Sequence, residues 1–245
     1  MDWTTKIFRY CERGTDPAFW AEPANAISNG AFIIAAIAAA ILLAGASRRA
    51  SNSPVVWLLV AVLFVIGCGS FLFHTYATRW AALADVAPIG IFMFVYLGFA
   101  LRRFIGLPWL GVAAGLGVFA YAMHVADGIQ CNVSLLSITE AARGPCLNGT
   151  AAYAPALGAM VVIGAALALM RHRAAPLLLG AAAIFLVSMF FRTIDFEACA
   201  MTRFAGHVFG THFLWHVFNA TTLFVLVLAA IRHDTPRPEA APRAY

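Results

Sequence analysis

His212 and His216 stand one helical turn apart in Thr211-His212-Phe213-Leu214-Trp215-His216, at the head of the last long apolar run. A second apolar stretch carries Ser70 and His74 at the same spacing, and Asp85 lies near the start of the next. Polar and ionisable groups at membrane depth are costly, so their default reading is functional. Residues at i and i+4 project from one helix face. Three neutral imidazoles make the donor set of a zinc site that keeps a fourth position for water. Water at such a site has a pKa of about 7 and can attack a carbonyl. These residue types predict metal-assisted hydrolysis, with His74, His212 and His216 as zinc ligands and Ser70 and Asp85 beside them.

The elements that must position these groups follow from composition. Of 245 residues, 62% are hydrophobic and 11% are charged. Soluble domains carry about 25% charged residues. With a mean hydropathy of +0.84, the chain reads as an all-α membrane protein. The net charge of +5 comes from basic residues scattered in short loops, which is a topology signal and excludes a nucleic-acid footprint. A spanning helix needs about 20 apolar residues. Seven segments qualify: Ala26–Ala46, Pro54–His74, Leu83–Leu101, Pro108–Ala126, Ala151–Met170, Pro176–Arg192 and His207–Ile231. Pro54, Pro108 and Pro176 each open a span, where a missing N–H costs nothing. The organisation predicted is an extramembrane segment over 1–25, one seven-helix bundle over 26–231, and a disordered cytoplasmic tail over 232–245 with Pro236, Pro238 and Pro242. Met1 to Trp20 lacks the apolar run of a signal peptide.

Arg48/Arg49, Arg102/Arg103 and Arg171/Arg173 follow spans one, three and five, against single arginines, Arg79, Arg143 and Arg203, after the others. The positive-inside rule then puts the N-terminus outside and the C-terminus in the cytoplasm. The alanine-rich helices suggest a bacterial inner membrane. Cys11, Cys131, Cys146 and Cys199 all fall on the outer side, where an oxidising compartment allows pairing, and Cys68 lies inside a span. The same span directions bring Ser70, His74, Asp85, His212 and His216 to the outer ends of their helices.

The other histidines have plainer readings. His124 and His207 fit packing or hydrogen-bonding roles, and His172 and His233 lie at cytoplasmic ends facing water. Asp85 can act as general base or can orient a ligand histidine. Ser70 can donate to an oxyanion or bond back to its own helix. A transporter is disfavoured, because Asp85 is the only carboxylate near a span's interior and no inverted repeat of interrupted helices is evident.

The pattern Ser70, His74, Asp85, His212 and His216 resembles the seven-helix zinc hydrolase superfamily of alkaline ceramidases and adiponectin-receptor-like proteins. Tyr10-Cys11-Glu12, Phe19-Trp20-Ala21-Glu22-Pro23-Ala24-Asn25, Ser28-Asn29 and Phe191-Arg192-Thr193-Ile194-Asp195 with Cys199 are similar to the ceramidase branch. The resemblance covers about residues 9 to 230. It implies hydrolysis of the N-acyl bond of ceramide or a related lipid amide, with His74, His212 and His216 on zinc and Ser70 and Asp85 catalytic. It implies a Cys11–Cys199 disulfide, and Cys131 and Cys146 are then left to pair with each other. It also implies calcium at the N-terminal segment. Glu12 and Glu22 match the acidic positions there, Asp16 is a further carboxylate, and Arg9, Tyr10 and Gly14 depart from the pattern. Two relatives of this reading stay open: a receptor-like protein with structural zinc, and a lipid ester or phospholipid hydrolase on the same scaffold. The partner expected is a membrane lipid, with no nucleic acid, and the oligomeric state is left open.

Overall fold

The computed structural model describes residues 2–131 and 144–233. Among the described residues, seven helices are long and apolar enough to cross a membrane: α1 (Pro23–Ala44), α2 (Pro54–Tyr76), α3 (Arg79–Ile105), α4 (Trp109–Asp127), α5 (Cys146–Leu169), α6 (Ala175–Thr193) and α7 (His212–His233). The protein is thus an all-α membrane protein, as its composition predicts. Large apolar side chains such as Leu110, Val162 and Leu169 stand exposed on the outside of the bundle. In water such a surface would be an aggregation liability, whereas in lipid it is the solvated face.

Neighbours in sequence pack as neighbours in space, α2 on α3 and α6 on α7, while α1 closes the bundle against α2 and α7. The core joins Phe32 and Leu43 of α1, Leu59 and Leu63 of α2, Phe92 of α3, Leu178 of α6 and Val227 of α7. α7 is the most enclosed helix, with 61% of its apolar window buried. That burial fixes its orientation, and hence where His212 and His216 point.

Several boundaries move from those read in the sequence. α1 begins at Pro23, α3 begins at Arg79, and α7 begins at His212 and continues to His233. The stretch before α7 is a tight hairpin in which Arg203–Phe204 pairs with His207–Val208. Gly210, at φ +64, turns the chain into the helix. A Cβ there would collide with Asp195 and Cys11, so the turn requires glycine. Residues 234–245 of the expected tail lie outside the described residues.

The N-terminal segment forms a cover at one end of the bundle. Ile7 N donates to Ala77 O at 2.7 Å, and Arg79 N donates to Thr5 O at 3.1 Å, so the segment crosses the α2–α3 turn. Cys11 and Cys199 form a disulfide across a sequence separation of 188. Cys146 is also disulfide-bonded. The side chain of its expected partner, Cys131, is outside the described residues. Cys68 is a free, exposed thiol.

Candidate metal centre and active site

His74 lies in the last turns of α2, and His212 and His216 lie in the first turns of α7. The three are almost fully buried, at 1%, 1% and 2% exposure. One ring nitrogen from each falls within 4.8 Å of the others, and no other group of three His, Cys, Asp or Glu could hold a metal among the described residues. The His74–His216 and His212–His216 ring centroids are each 4.7 Å apart. His74 Nε2 and His212 Nδ1 are buried without a hydrogen-bond partner. An orphaned buried nitrogen is expensive unless something else engages it. Three converging imidazoles, two of them with an orphaned nitrogen, fit a metal ion of the borderline-soft kind that nitrogen ligands favour.

Two of the three rings are fixed from behind. His74 Nδ1 lies 2.5 Å from Glu22 Oε2. His216 Nδ1 lies 2.8 Å from Ser28 Oγ. Histidines that bind metals are oriented in this way through the nitrogen that does not bind. The third ring, His212, stacks on Tyr10, with centroids 3.8 Å apart and planes 22° apart. Burial pushes the Tyr10 phenol up to about 12, so it stays a neutral donor at physiological pH. Asp195 sets the start of α7. Its Oδ1 accepts from Thr211 N at 2.8 Å and His212 N at 2.9 Å, and its Oδ2 accepts from Cys11 N at 2.9 Å. An acidic side chain at a helix N-terminus satisfies otherwise orphaned N–H groups. Burial pushes the Asp195 carboxyl above its ordinary range despite those three donors.

Ser70 and Asp85 share a cavity with His212, His216, Tyr10 and Arg192. Ser70 comes from α2 and Asp85 from α3. Their meeting depends on Gly69, where a Cβ would run into the Ala84 carbonyl and press on Asp85 N. Without that Cβ the α2 and α3 backbones touch, which sets Ser70 against Asp85. Arg192, near the end of α6, projects into the same cavity. Its guanidinium lies over the rings of Tyr10, Tyr153 and Trp215 at 5.8, 5.4 and 5.1 Å.

A second, apolar cavity lies among α3 to α7 and shares the lining residues Ile89 and Tyr153 with the first. A polar compartment thus adjoins an oily one, an arrangement suited to a lipid tail with a polar head.

The carboxylates expected at calcium do not fit that ion. Glu12 Oε1 and Oε2 accept from Ala24 N and Asn25 N at 2.7 and 2.8 Å. Asp16 Oδ1 accepts from Ala18 N at 2.8 Å. Glu22 is ion-paired with Arg13, hydrogen-bonded to Asn25 and held to His74. Burial raises the Glu22 carboxyl, but His74, Arg13 and Asn25 outweigh it and hold the group below its ordinary value. Calcium takes six to eight oxygen ligands, and here the chain's own donors engage five of the six carboxylate oxygens of Glu12, Asp16 and Glu22.

Of the residues singled out in the sequence, the structure brings Ser70, His74, Asp85, His212 and His216 together. It leaves His124 and His207 exposed and His172 and His233 at the far end. Ser28, Arg192, Asp195 and Arg13 have roles the spacing did not announce. Asp195 and Arg192 lie in a quoted motif, and their charge at a helix end was the available signal.

By these features the chain is a seven-helix membrane protein with a buried three-histidine site. The ceramidase family model matches residues 8–244, and the chain belongs to that family. A search of curated proteins finds no match. Ceramide hydrolysis in the general sense follows from the family.

Proposed function

We propose that the chain is a zinc-dependent intramembrane amidase, cleaving the N-acyl bond of ceramide or a related lipid amide to a fatty acid and a sphingoid base. The observation that carries this reading is the convergence of three buried imidazoles on one point, beside a carboxylate and close to an apolar cavity. Zinc held by His74, His212 and His216 would supply Lewis acidity toward the amide carbonyl and acidify a water.

The chain's own residues do the rest. The apolar cavity takes the acyl chain and orients the amide toward the histidines. Asp85 is placed to accept a proton from the attacking water and deliver it to the leaving amine. Ser70, in the same cavity, can turn its hydroxyl to the carbonyl oxygen as charge develops there. Arg192 and Tyr10 bring further donors to the same cavity. Glu22 and Ser28 keep the imidazoles in one tautomer and one orientation. The apolar cavity supports lateral entry from the bilayer, because carrying a lipid amide through water would expose its tails.

The test is product analysis. Purified, zinc-loaded protein is given ceramides, N-acyl amines and phospholipids, and the lipids released are identified. Fatty acid and sphingoid base from ceramide are expected. Asp85→Asn should lower turnover about 10²- to 10⁴-fold with zinc retained, and His216→Ala should lose zinc. Fatty acid released from phospholipid with ceramide untouched would overturn the substrate assignment. Full zinc in both His212→Ala and His216→Ala would overturn the metal site.

A further inference from the structure

Arg13 is a buried arginine, 3% exposed, at the junction of the N-terminal segment and the bundle. An arginine is rarely buried unless its donors are met. Here five oxygens surround the guanidinium. Nε pairs with Glu22 Oε1, Nη1 donates to the carbonyls of Asp16 and Ala18 at 3.1 and 2.7 Å, and Nη2 donates to those of His74 and Thr75 at 2.8 and 3.3 Å. One carboxylate and four carbonyls make a cage of hard oxygens, the ligand type that a calcium ion takes. A guanidinium fills it instead.

The cage is built around a metal-site residue. His74 is held at its ring through Glu22 and at its carbonyl by Arg13 directly. Glu22 in turn is held between Arg13 and Asn25. One cation therefore ties three elements together: the loop over Asp16 and Ala18, the start of α1 at Glu22, and the end of α2 at His74 and Thr75.

We propose that Arg13 is a built-in cation that replaces calcium in this chain and acts as a positioning residue for His74. The proposal rests on the reading of His74 as a zinc ligand. A covalently attached cation cannot be lost to chelation or dilution, so the orientation of His74 is independent of the calcium concentration. Removing the side chain leaves the oxygens and opens a space that a small hard cation or a free guanidinium can enter. The chain would then become dependent on an added cation.

The test uses the full chain, zinc affinity and the visible spectrum of the cobalt-substituted protein. Calcium titrated into calcium-free wild type should leave melting temperature, zinc affinity and cobalt spectrum unchanged. Arg13→Ala should bind zinc about 10- to 100-fold more weakly, as expected when a ligand histidine loses its support. Calcium or guanidinium, each at millimolar concentration, should recover part of that loss, and choline should not. If Arg13→Ala does not fold, Arg13→Lys keeps the charge with fewer donors and should fall between wild type and complete loss. Saturable stabilisation of the wild type by calcium would overturn the proposal. So would wild-type zinc affinity in Arg13→Ala or Arg13→Lys. Weakened zinc binding rescued by calcium, in a protein that cleaves no lipid amide, would uphold the proposal and overturn the assigned activity alone.

Discussion

Ser28 Oγ lies 2.8 Å from His216 Nδ1, and the same hydroxyl lies 2.9 Å from the carbonyl of Asn25. The hydroxyl has one proton. Donated to Asn25 O, it leaves an oxygen lone pair to accept from His216 Nδ1–H. That arrangement fixes the neutral tautomer with Nε2 free, the form a metal ligand needs. Ser28→Ala should therefore keep the fold and lower zinc affinity about 10-fold, the low end for loss of a ligand's supporting partner. Competition with a chromogenic chelator measures it. Unchanged affinity would reduce Ser28 to helix packing.

Gly69 governs a different relationship, the contact of α2 with α3 that sets Ser70 beside Asp85. A methyl at this position meets backbone, the Ala84 carbonyl, which cannot rotate away as a side-chain end could. Gly69→Ala should cost about 1–3 kcal/mol through overpacking. It should also move Asp85 relative to the histidines, and a misplacement of about 1 Å costs about 10²-fold in rate. Zinc should stay bound, because none of its three proposed ligands is on α3. Turnover, zinc content and melting temperature measured together check this. Wild-type turnover would show that the helix contact has slack.

Much of this was legible in the sequence, and the parts that were not have a common physical reason. The i,i+4 pairs Ser70/His74 and His212/His216 announce themselves because helical periodicity is local. The seven spans follow from hydropathy, and the Cys11–Cys199 bridge from resemblance to the family. What escaped were contacts whose partners are far apart in the chain. The family resemblance implies calcium at Glu22, yet its partner is His74, 52 residues away. Ser28 enters the sequence reading only within the stretch that resembles the ceramidase branch, with no role of its own, yet its partner is 188 residues away. The start of α7 was placed at His207 because that stretch is mildly apolar. The hairpin over Arg203–Phe204 and His207–Val208, with its turn into the helix at Gly210, overrides that local signal.

Glu12 provides a pH-dependent handle outside the spans. Burial pushes its carboxyl up to about 7, against the hydrogen bonds from Asn25 N and Ala24 N, which lower it. The folded chain then holds this proton over a range in which the unfolded chain has released it. A raised carboxyl adds stability that is fully present below its unfolded pKa, near 4.5, and is lost as pH rises through about 7. The wild type should lose more melting temperature between pH 5 and pH 8 than Glu12→Gln, which carries no titrating group there. Parallel pH profiles for the two proteins would show that Glu12 is ionised throughout.

The site end of the bundle should face away from the cytoplasm. Glu22, Ser28, His74, Asp85, Arg192, His212 and the Cys11–Cys199 disulfide all gather at one end of the helices. The arginine pairs Arg48/Arg49, Arg102/Arg103 and Arg171/Arg173 lie in the loops or helix ends opposite. Positive residues in short loops mark the cytoplasmic side, and a disulfide persists on the oxidising side. The two criteria rest on different chemistry and choose the same end. Arg79 and Arg48 are both exposed, one at each end, which makes them fair reporters. In intact cells, and in a background lacking Cys68, Arg79→Cys should react with a membrane-impermeant thiol reagent and Arg48→Cys should not. The order should equalise once the membrane is permeabilised. If Arg48→Cys reacts and Arg79→Cys does not, the orientation is inverted. The substrate would then come from the cytoplasmic leaflet, and the disulfide would need an explanation other than compartment.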